Sequence, residues 1–313
     1  MRDDGRRISV IGLLQAAAVL TVVFSVLTGL DIPHHGIELF SHFRLQYLVV
    51  SLLLLAVFGV LRSYAYAGAL VVTAIFNATF ILPLYSSDDL ATDGEPFKLV
   101  HANVRSSNTD YDRLVDFVNE VQPDVVFLQE VTSDWVAGTR TLLADYPYTY
   151  AEPRQGNFGI AAFSKTPFDS IRHLDSPPLG HPTIVATLTV NGTRLNIISS
   201  HPTIPLGRNL YEARNEQLDS VVELLGQTTG RVVLLGDFNA SIWDMHFRRL
   251  QESAGLKSVR QGFGVLPSWP TYMPFAMIPI DHALVSESIS VTDARTGSSI
   301  GSDHLPLVVT LSL

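Results

Sequence analysis

Three long stretches without a charged residue fill most of the first ninety positions of this chain, and no other feature constrains it as strongly. Residues 8–30, 45–61 and 63–87 form uncharged runs of 23, 17 and 25 residues. A helix needs roughly 17–25 apolar residues to cross a bilayer, so all three qualify, the second at the short limit. One such run alone could be a buried core helix or a cleaved signal peptide. The first exceeds the usual signal core of roughly 7–15 residues, and two more follow it directly. A membrane anchor over residues 1–90 is therefore expected, with transmembrane helices at about 8–30, 45–61 and 64–85. Arg2, Arg6, Arg7 and Arg62 would flank one side of it, against Arg44 on the other. Cytoplasmic flanks carry the excess of Lys and Arg. The N-terminus is thus expected in the cytoplasm, and everything after the third span outside the inner (cytoplasmic) membrane. Asn77, inside the third span, reads as a helix–helix hydrogen bond.

Residues 91–313 have a different character. They carry 16 Lys+Arg against 24 Asp+Glu, a net charge of −8, and the whole chain has no cysteine. That excludes thiol catalysis, a disulfide scaffold and cysteine-ligated metal. Acidity also disfavours non-specific binding to nucleic-acid backbone, which draws its affinity from basic groups. Strands are expected at 97–104, 124–129, 158–164, 183–190, 193–200, 231–235, 280–285, 289–292 and 305–311, and helices at 110–121 and 209–225. Asn191-Gly192 marks a tight hairpin between two of the strands. Pro123 stops the first helix. Strands mixed with helices, plus a hairpin, argue for two packed mixed sheets with helices outside rather than one parallel sheet.

Polar residues gather just outside the apolar strands. Asn103 ends the first. Glu130 follows VVFLQ, His201 follows NIISS, and Asp237 and Asn239 follow VVLLG. Asp281 opens DHALV, and Asp303 and His304 precede LPLVV. Strand ends hold side chains rigidly, so several can build one pocket. Taken singly, Glu130 could cap a helix, Asn103 and Asp237 could be turn residues, and His201 a satisfied surface histidine. Taken together they are expected to converge, satisfying one another or binding a metal, because each would cost about 1–3 kcal/mol if buried without a partner. Glu130 offers a hard oxygen suited to Mg²⁺ or Mn²⁺.

The motifs HANV (101–104), FLQE (127–130), ISSH (198–201), LLGDFN (234–239), PIDH (279–282) and GSDHLP (301–306) follow in that order. This series resembles the signature of the metal-dependent endonuclease/exonuclease/phosphatase superfamily, over residues 97–311. That superfamily includes DNase I-like nucleases, apurinic endonucleases, inositol-polyphosphate phosphatases and neutral sphingomyelinases. GDFN followed by SDH is the most specific part. With three spans in front, the chain is similar to a bacterial membrane-anchored branch that includes the teicoplanin-resistance membrane protein, proposed to act on a polyprenyl phosphate carrier.

The resemblance implies a four-layer α/β/β/α sandwich. It also implies that Asn103, Glu130 and Asp303 hold Mg²⁺ or Mn²⁺, and that Asp237 orients or deprotonates the attacking water, with Asn239 holding that water or the phosphate. His201 and His304 would donate to the non-bridging oxygens, and Asp281 would orient His304. Many nuclease members carry an acidic residue where this chain has Arg105, which could repel a second metal or bind a substrate phosphate. His282 reads as packing. Arg214 and Gln217, one helical turn apart, read as support for the His201 loop. The segment 268–279 (SWPTYMPFAMIP) is either a packed core edge or an apolar lip for a lipid tail or bilayer.

The expected function is a membrane-anchored, divalent-metal-dependent phosphoesterase acting outside the cytoplasmic membrane on a small or lipid-linked phosphate, a polyprenyl phosphate among the candidates. A surface-anchored nuclease is the alternative, and a catalytically inactive membrane-bound binding module a second. The lipid bilayer is an expected partner, and no protein partner is inferred.

Overall fold

A computed structural model describes residues 9–86 and 94–313. The chain divides into two compact units, Met1–Pro83 and Leu84–Leu313. Arg2, Arg6, Arg7 and the expected boundary at residue 90, within 87–93, lie outside the described residues.

The first unit contains α1 (Val10–Leu27), the short α2 (His35–Glu38), α3 (Arg44–Val60) and α4 (Tyr64–Ile81). Three helical stretches are long and apolar enough to cross a membrane. The second runs from His35 to Val60, 26 residues against the 17 expected. It is longer because α2 and one further turn lead into α3. Large apolar side chains such as Leu13, Leu53, Val60, Val72 and Ile75 point outward, whereas Ser25, Ser51, Thr73 and Asn77 are buried. Small and polar residues thus lie at the helix contacts and apolar ones outside. Asn77 Nδ2 donates to Ser25 Oγ at 3.0 Å, tying α4 to α1 as expected. Arg44, counted as a loop residue in the sequence, instead opens α3 and is buried. It donates to the Ser25 carbonyl at 2.9 Å and to Asn77 Oδ1 at 3.3 Å, and lies 4.3 Å from the Phe80 ring centre.

Among the described residues of the second unit, twelve strands form two sheets of six. The strands are β1 (Pro96–Asn103), β2 (Val125–Gln129), β3 (Tyr148–Glu152), β4 (Ile160–Ser164), β5 (Ser170–Ser176), β6 (His181–Val190), β7 (Thr193–Ser199), β8 (Arg231–Asp237), β9 (Leu256–Ser258), β10 (Asp281–Ser286), β11 (Ser290–Thr296) and β12 (Leu307–Ser312). Their orders are β11-β12-β1-β2-β4-β3 and β5-β6-β7-β8-β10-β9. Each sheet has one parallel pair, β1 with β2 and β7 with β8, among antiparallel neighbours.

Side chains alternate between the faces of a strand. Leu99, Val125, Phe127, Ile197, Val233, Leu235, Ala283 and Val285 all face the space between the sheets and form one core there. The intervening Val100, Ala102, Val126 and Leu128 face outward and meet Leu114, Phe117 and Val118 of α5 (Tyr111–Val121) and Trp135 of α6 (Ser133–Gly138). Burial on both faces is why these strands read as unbroken apolar runs. The helix α7 (Arg208–Gly226) buries Leu218 and Val221, and α8 (Met245–Ala254) buries Phe247 and Leu250. The architecture is the α/β sandwich that the resemblance implied.

Candidate active site

The site is the continuation of the inter-sheet core. On β1 the inward positions are Leu99, His101 and Asn103; on β2 they are Val125, Phe127 and Gln129. On β8 they are Val233, Leu235 and Asp237, and on β10, running the other way, Val285, Ala283 and Asp281. β2, β8 and β10 are apolar until their last inward position and polar there, and β1 turns polar one inward position sooner, at His101. Register then brings the ends together, because Asn103 lies beside Gln129 and Asp281 lies opposite Asp237.

Gln129 joins the two sheets at this end. Its Nε2 donates to the Ser200 carbonyl at 2.9 Å, and its Oε1 accepts from the Asp237 backbone N–H at 2.9 Å. The approach is so close that Gly236, at φ 152°, has no room for a Cβ, which would overlap the Ser200 carbonyl. That is the physical requirement behind the glycine of LLGDFN. Three site residues, Arg105, Glu130 and Asn239, have φ between 49° and 63°. Side chains other than glycine visit this region rarely, at a cost of order 1–3 kcal/mol. Here the turns aim carboxylate, guanidinium and amide beyond the strand ends.

Asp281 is fully buried. Its Oδ2 accepts from His304 Nδ1 at 2.8 Å, and its Oδ1 lies 3.0 Å from His101 Nε2. The Ser268 hydroxyl accepts from its backbone N–H, and its carbonyl accepts from Arg260. Burial alone would raise the Asp281 pKa, but the charge and hydrogen bonds of His304 and His101 hold it well below the usual carboxylate range. His304 shows the converse. Burial would lower its pKa, yet Asp281 and then Asp237 raise it to about 9. The imidazole is held as a cation, with Nε2 directed at Asp237 Oδ2, 3.7 Å away.

Asp237 is desolvated, and burial lifts its pKa to about 7 against the opposing pull of His304. Its Oδ1 accepts from the Asn239 backbone N–H at 2.9 Å. Its Oδ2 accepts from Asn103 Nδ2 at 3.1 Å and lies 3.6 Å from His201 Nε2. Burial, then the neighbouring His304 charge, depresses the His201 pKa to about 3, so this ring is neutral. Asn239 Nδ2 donates to the Pro202 carbonyl at 3.0 Å and lies 3.5 Å from His201 Nε2.

The same Asn103 amide donates to Glu130 Oε1 at 3.1 Å, and Glu130 Oε2 accepts from the Ser106 backbone N–H at 3.0 Å. Glu130 and Asp237 therefore turn oxygens toward one amide nitrogen. Arg105 Nε is 3.9 Å from Asp303 Oδ1, with half of the arginine side chain exposed. Asp303 Oδ2 also accepts from Trp269 Nε1 at 3.4 Å.

Two groupings could hold a divalent cation. Ligand atoms of Asp237, Asp281 and His304 lie within 4.8 Å of one another, all buried. In that group Asp281 and His304 already hydrogen-bond each other, at 2.8 Å. The converging oxygens of Glu130 and Asp237, bridged only by an amide, form a hard, anionic donor set that fits Mg²⁺ or Mn²⁺ better.

All nine residues expected to catalyse, hold metal or bind phosphate lie at this one end of the sandwich. Arg214 Nη1 donates to the Asn239 carbonyl at 3.2 Å, and Gln217 Oε1 accepts from the Thr203 backbone N–H at 2.8 Å, so α7 braces the loop after His201. His282 packs 4.1 Å from Phe247, ring centre to ring centre, and its Nε2 bonds the Ala240 carbonyl at 2.7 Å. Sequence reasoning missed the placement of two residues: His101, which shares Asp281 with His304, and Gln129. Both occupy the alternating positions that carry Asn103 and Phe127, so a strict count of two along each strand locates them.

Residues 100–304, more than half of the chain, match the endonuclease/exonuclease/phosphatase family. No curated protein matches the sequence significantly. Among solved structures, a humanized D. rerio TDP2 superposes with a TM-score of 0.61 at 20% identity, over 70% of this chain and 99% of the other. An endonuclease/exonuclease/phosphatase from Beutenbergia cavernae gives 0.57 at 18%, over 70% and 72%. The 3′ phosphatase NExo from Neisseria, bound to a product DNA hairpin, gives 0.57 at 21%, over 68% and 98%.

Proposed function

This chain belongs to the endonuclease/exonuclease/phosphatase family, and from that premise we propose that it is a membrane-anchored phosphoesterase acting outside the cytoplasmic membrane on a lipid-linked or other small phosphate. Its class, a metal-dependent hydrolase of phosphoester bonds or a nuclease, follows from the family. The location and substrate are our reading. The observation that carries it is the set of three bilayer-length apolar helices preceding a net-acidic catalytic unit.

In this proposal Glu130 would anchor Mg²⁺ or Mn²⁺, with an Asp237 oxygen converging on the same point and Asn103 and Asp303 as the further candidate ligands. The bound cation supplies Lewis-acid neutralisation of charge on the phosphoryl oxygens. The remaining chemistry belongs to the side chains. Asp237 orients the attacking water or takes its proton, which a carboxylate with a raised pKa does well near neutrality. Asn239 holds that water or a phosphate oxygen. The His304 cation donates from Nε2 to a non-bridging oxygen, where charge builds up in the transition state. Asp281, with His101 behind it, fixes the His304 ring and keeps it protonated. Neutral His201 donates a hydrogen bond without adding charge, and Arg105 offers its exposed guanidinium to a further phosphate oxygen.

The test is hydrolysis by the full-length protein, reconstituted with Mg²⁺ and then with EDTA, offered a polyprenyl pyrophosphate, a soluble phosphodiester and plasmid DNA. Chelator-sensitive release of phosphate from the lipid, with intact plasmid, is the expected result. Nicked plasmid with untouched lipid would replace this reading with that of a surface-anchored nuclease.

A further inference from the structure

Six of the nine exposed large apolar side chains described in the second unit stand on three loops at the active-site end. They are Leu179, Ile204, Leu206, Tyr272, Met273 and Phe275, and Phe275 is 80% exposed. Topology puts them there. Leu179 lies in the turn into β6, whose start pairs with the end of β7, and Ile204 and Leu206 follow His201 after β7. Tyr272, Met273 and Phe275 lie on the loop that enters β10. That loop is fastened to the site, because the Thr271 backbone N–H donates to the Asp303 carbonyl at 3.0 Å and Trp269 bonds the Asp303 carboxylate. Nothing in these loops is charged. Residues 261–280 contain no Asp, Glu, Lys or Arg, and neither do 176–182 or 201–207, although residues 91–313 carry a net charge of −8. Apolar surface gathered at one end of a fold marks a contact site.

The chain itself indicates what covers this rim. The last apolar helix ends at Ile81, and Leu84 already belongs to the second unit. The Leu84 carbonyl accepts from the backbone N–H groups of Gly262 and Gly264, both at 2.9 Å, at the start of the same charge-free stretch. Three residues span at most about 11 Å. If the helices cross a bilayer, as the proposed function holds, the lipid surface lies within reach of this loop. Aliphatic Leu179, Ile204 and Leu206 suit acyl chains, and they cannot stack on bases as an aromatic rim alone could.

Resting on that reading, we infer that the rim formed by the 204–206 and 272–275 loops inserts into the outer leaflet, so that the active site opens onto phosphates at the lipid surface. A substrate headgroup then reaches Asp237 and His304 without leaving the membrane, while the acidic remainder of the unit stays in water.

The natural chain has no cysteine, so a single introduced one gives a unique label. Nitroxide would be placed by Phe275→Cys or Leu206→Cys, and for comparison by Ser288→Cys, exposed at the far end of β10, in full-length protein reconstituted into vesicles. Labels at 275 and 206 should favour collision with lipid-soluble oxygen over a water-soluble relaxant, and the label at 288 the reverse. Equal access of the water-soluble relaxant at all three overturns the proposal, as does protection of position 275 by single-stranded DNA and not by lipid. A second readout is the double variant Tyr272→Ser/Phe275→Ser. It should turn over a vesicle-borne phosphate about tenfold less efficiently while leaving a soluble phosphodiester unaffected. If wild type cleaves no lipid at all, the substrate reading fails while the nitroxide result still decides insertion.

Discussion

Asp281 stands between His101 and His304 with no solvent near it, and this fixes the protonation pattern of the site. With His304 raised to about 9 and Asp237 raised to about 7, the form with a cationic imidazole and an ionised Asp237 prevails between those values. Activity should therefore rise with pH through about 7 and fall through about 9, both limbs belonging to the coupled pair. Asp281→Asn removes the charge that holds the His304 proton, so the falling limb should move to lower pH in a pH–rate profile. A falling limb left in place would mean that His304 is not the group observed. The pair also bears on stability. A histidine whose folded pKa is raised contributes stability that is fully present below its ordinary value and lost as pH rises through the folded one. The destabilisation caused by Asp281→Asn should thus be largest below neutrality and fade as pH passes about 9. Asp237→Asn and His304→Ala should each lower turnover by about a hundredfold or more with the fold retained, measured as kcat beside a thermal melt.

At the scale of elements, the end of β2 is coupled to the ends of β7 and β8 through Gln129. Gln129→Leu would leave the Asp237 N–H and the Ser200 carbonyl without this partner, at about 1–3 kcal/mol for each group. Gly236→Ala would push a methyl into the Ser200 carbonyl, and overpacking of this kind costs about 1–3 kcal/mol. Both should lower the melting temperature and the turnover number together, because both shift Asp237. An unchanged melt in Gly236→Ala would show that the sheets can separate at that end. These contacts also show what the sequence does and does not carry. β2, β7 and β8 were legible because burial on both faces leaves an unbroken apolar run, and the site residues because each run stops at a polar residue. β3 and β5 were not. They are half-exposed edge strands, written with Tyr, Thr, Arg, His and Asp, and pairing rather than hydropathy makes them strands. The helix α8 was missed as well. Its cap, Asp244, accepts from His246 and Phe247 N–H groups at 2.8 and 2.9 Å, and only two of its side chains reach the core. His101 lay within a quoted motif, but its pairing with Asp281, 180 residues away, is a fact of register that local pattern does not contain.

Across the whole molecule, the proposed membrane anchor makes one question decisive: if the three helices cross a bilayer, their direction sets which compartment the active site serves. The distribution of arginine argues for one direction. Arg2, Arg6 and Arg7 precede α1, and Arg62 follows α3. Arg44, the apparent exception on the opposite side, is only 1% exposed and spends its donors inside the bundle on Ser25 and Asn77. Its charge is satisfied between helices instead of being displayed to lipid headgroups, so it weakens the bias less than a bare count suggests. Reporter fusions after Leu30, Leu61 and Ile81 should accordingly give extracytoplasmic, cytoplasmic and extracytoplasmic signals. A cytoplasmic signal after Ile81 would place Asp237 and His304 inside the cell and remove exported lipid phosphates from consideration. Arg44→Leu sharpens the test. If Arg44 orients the chain, its loss should strengthen the bias and leave the bundle intact. If it acts instead as the hydrogen-bonded link among α1, α3 and α4, the topology should stay the same and the reconstituted protein should melt at a lower temperature. The burial of its guanidinium between Ser25, Asn77 and Phe80 predicts the second outcome.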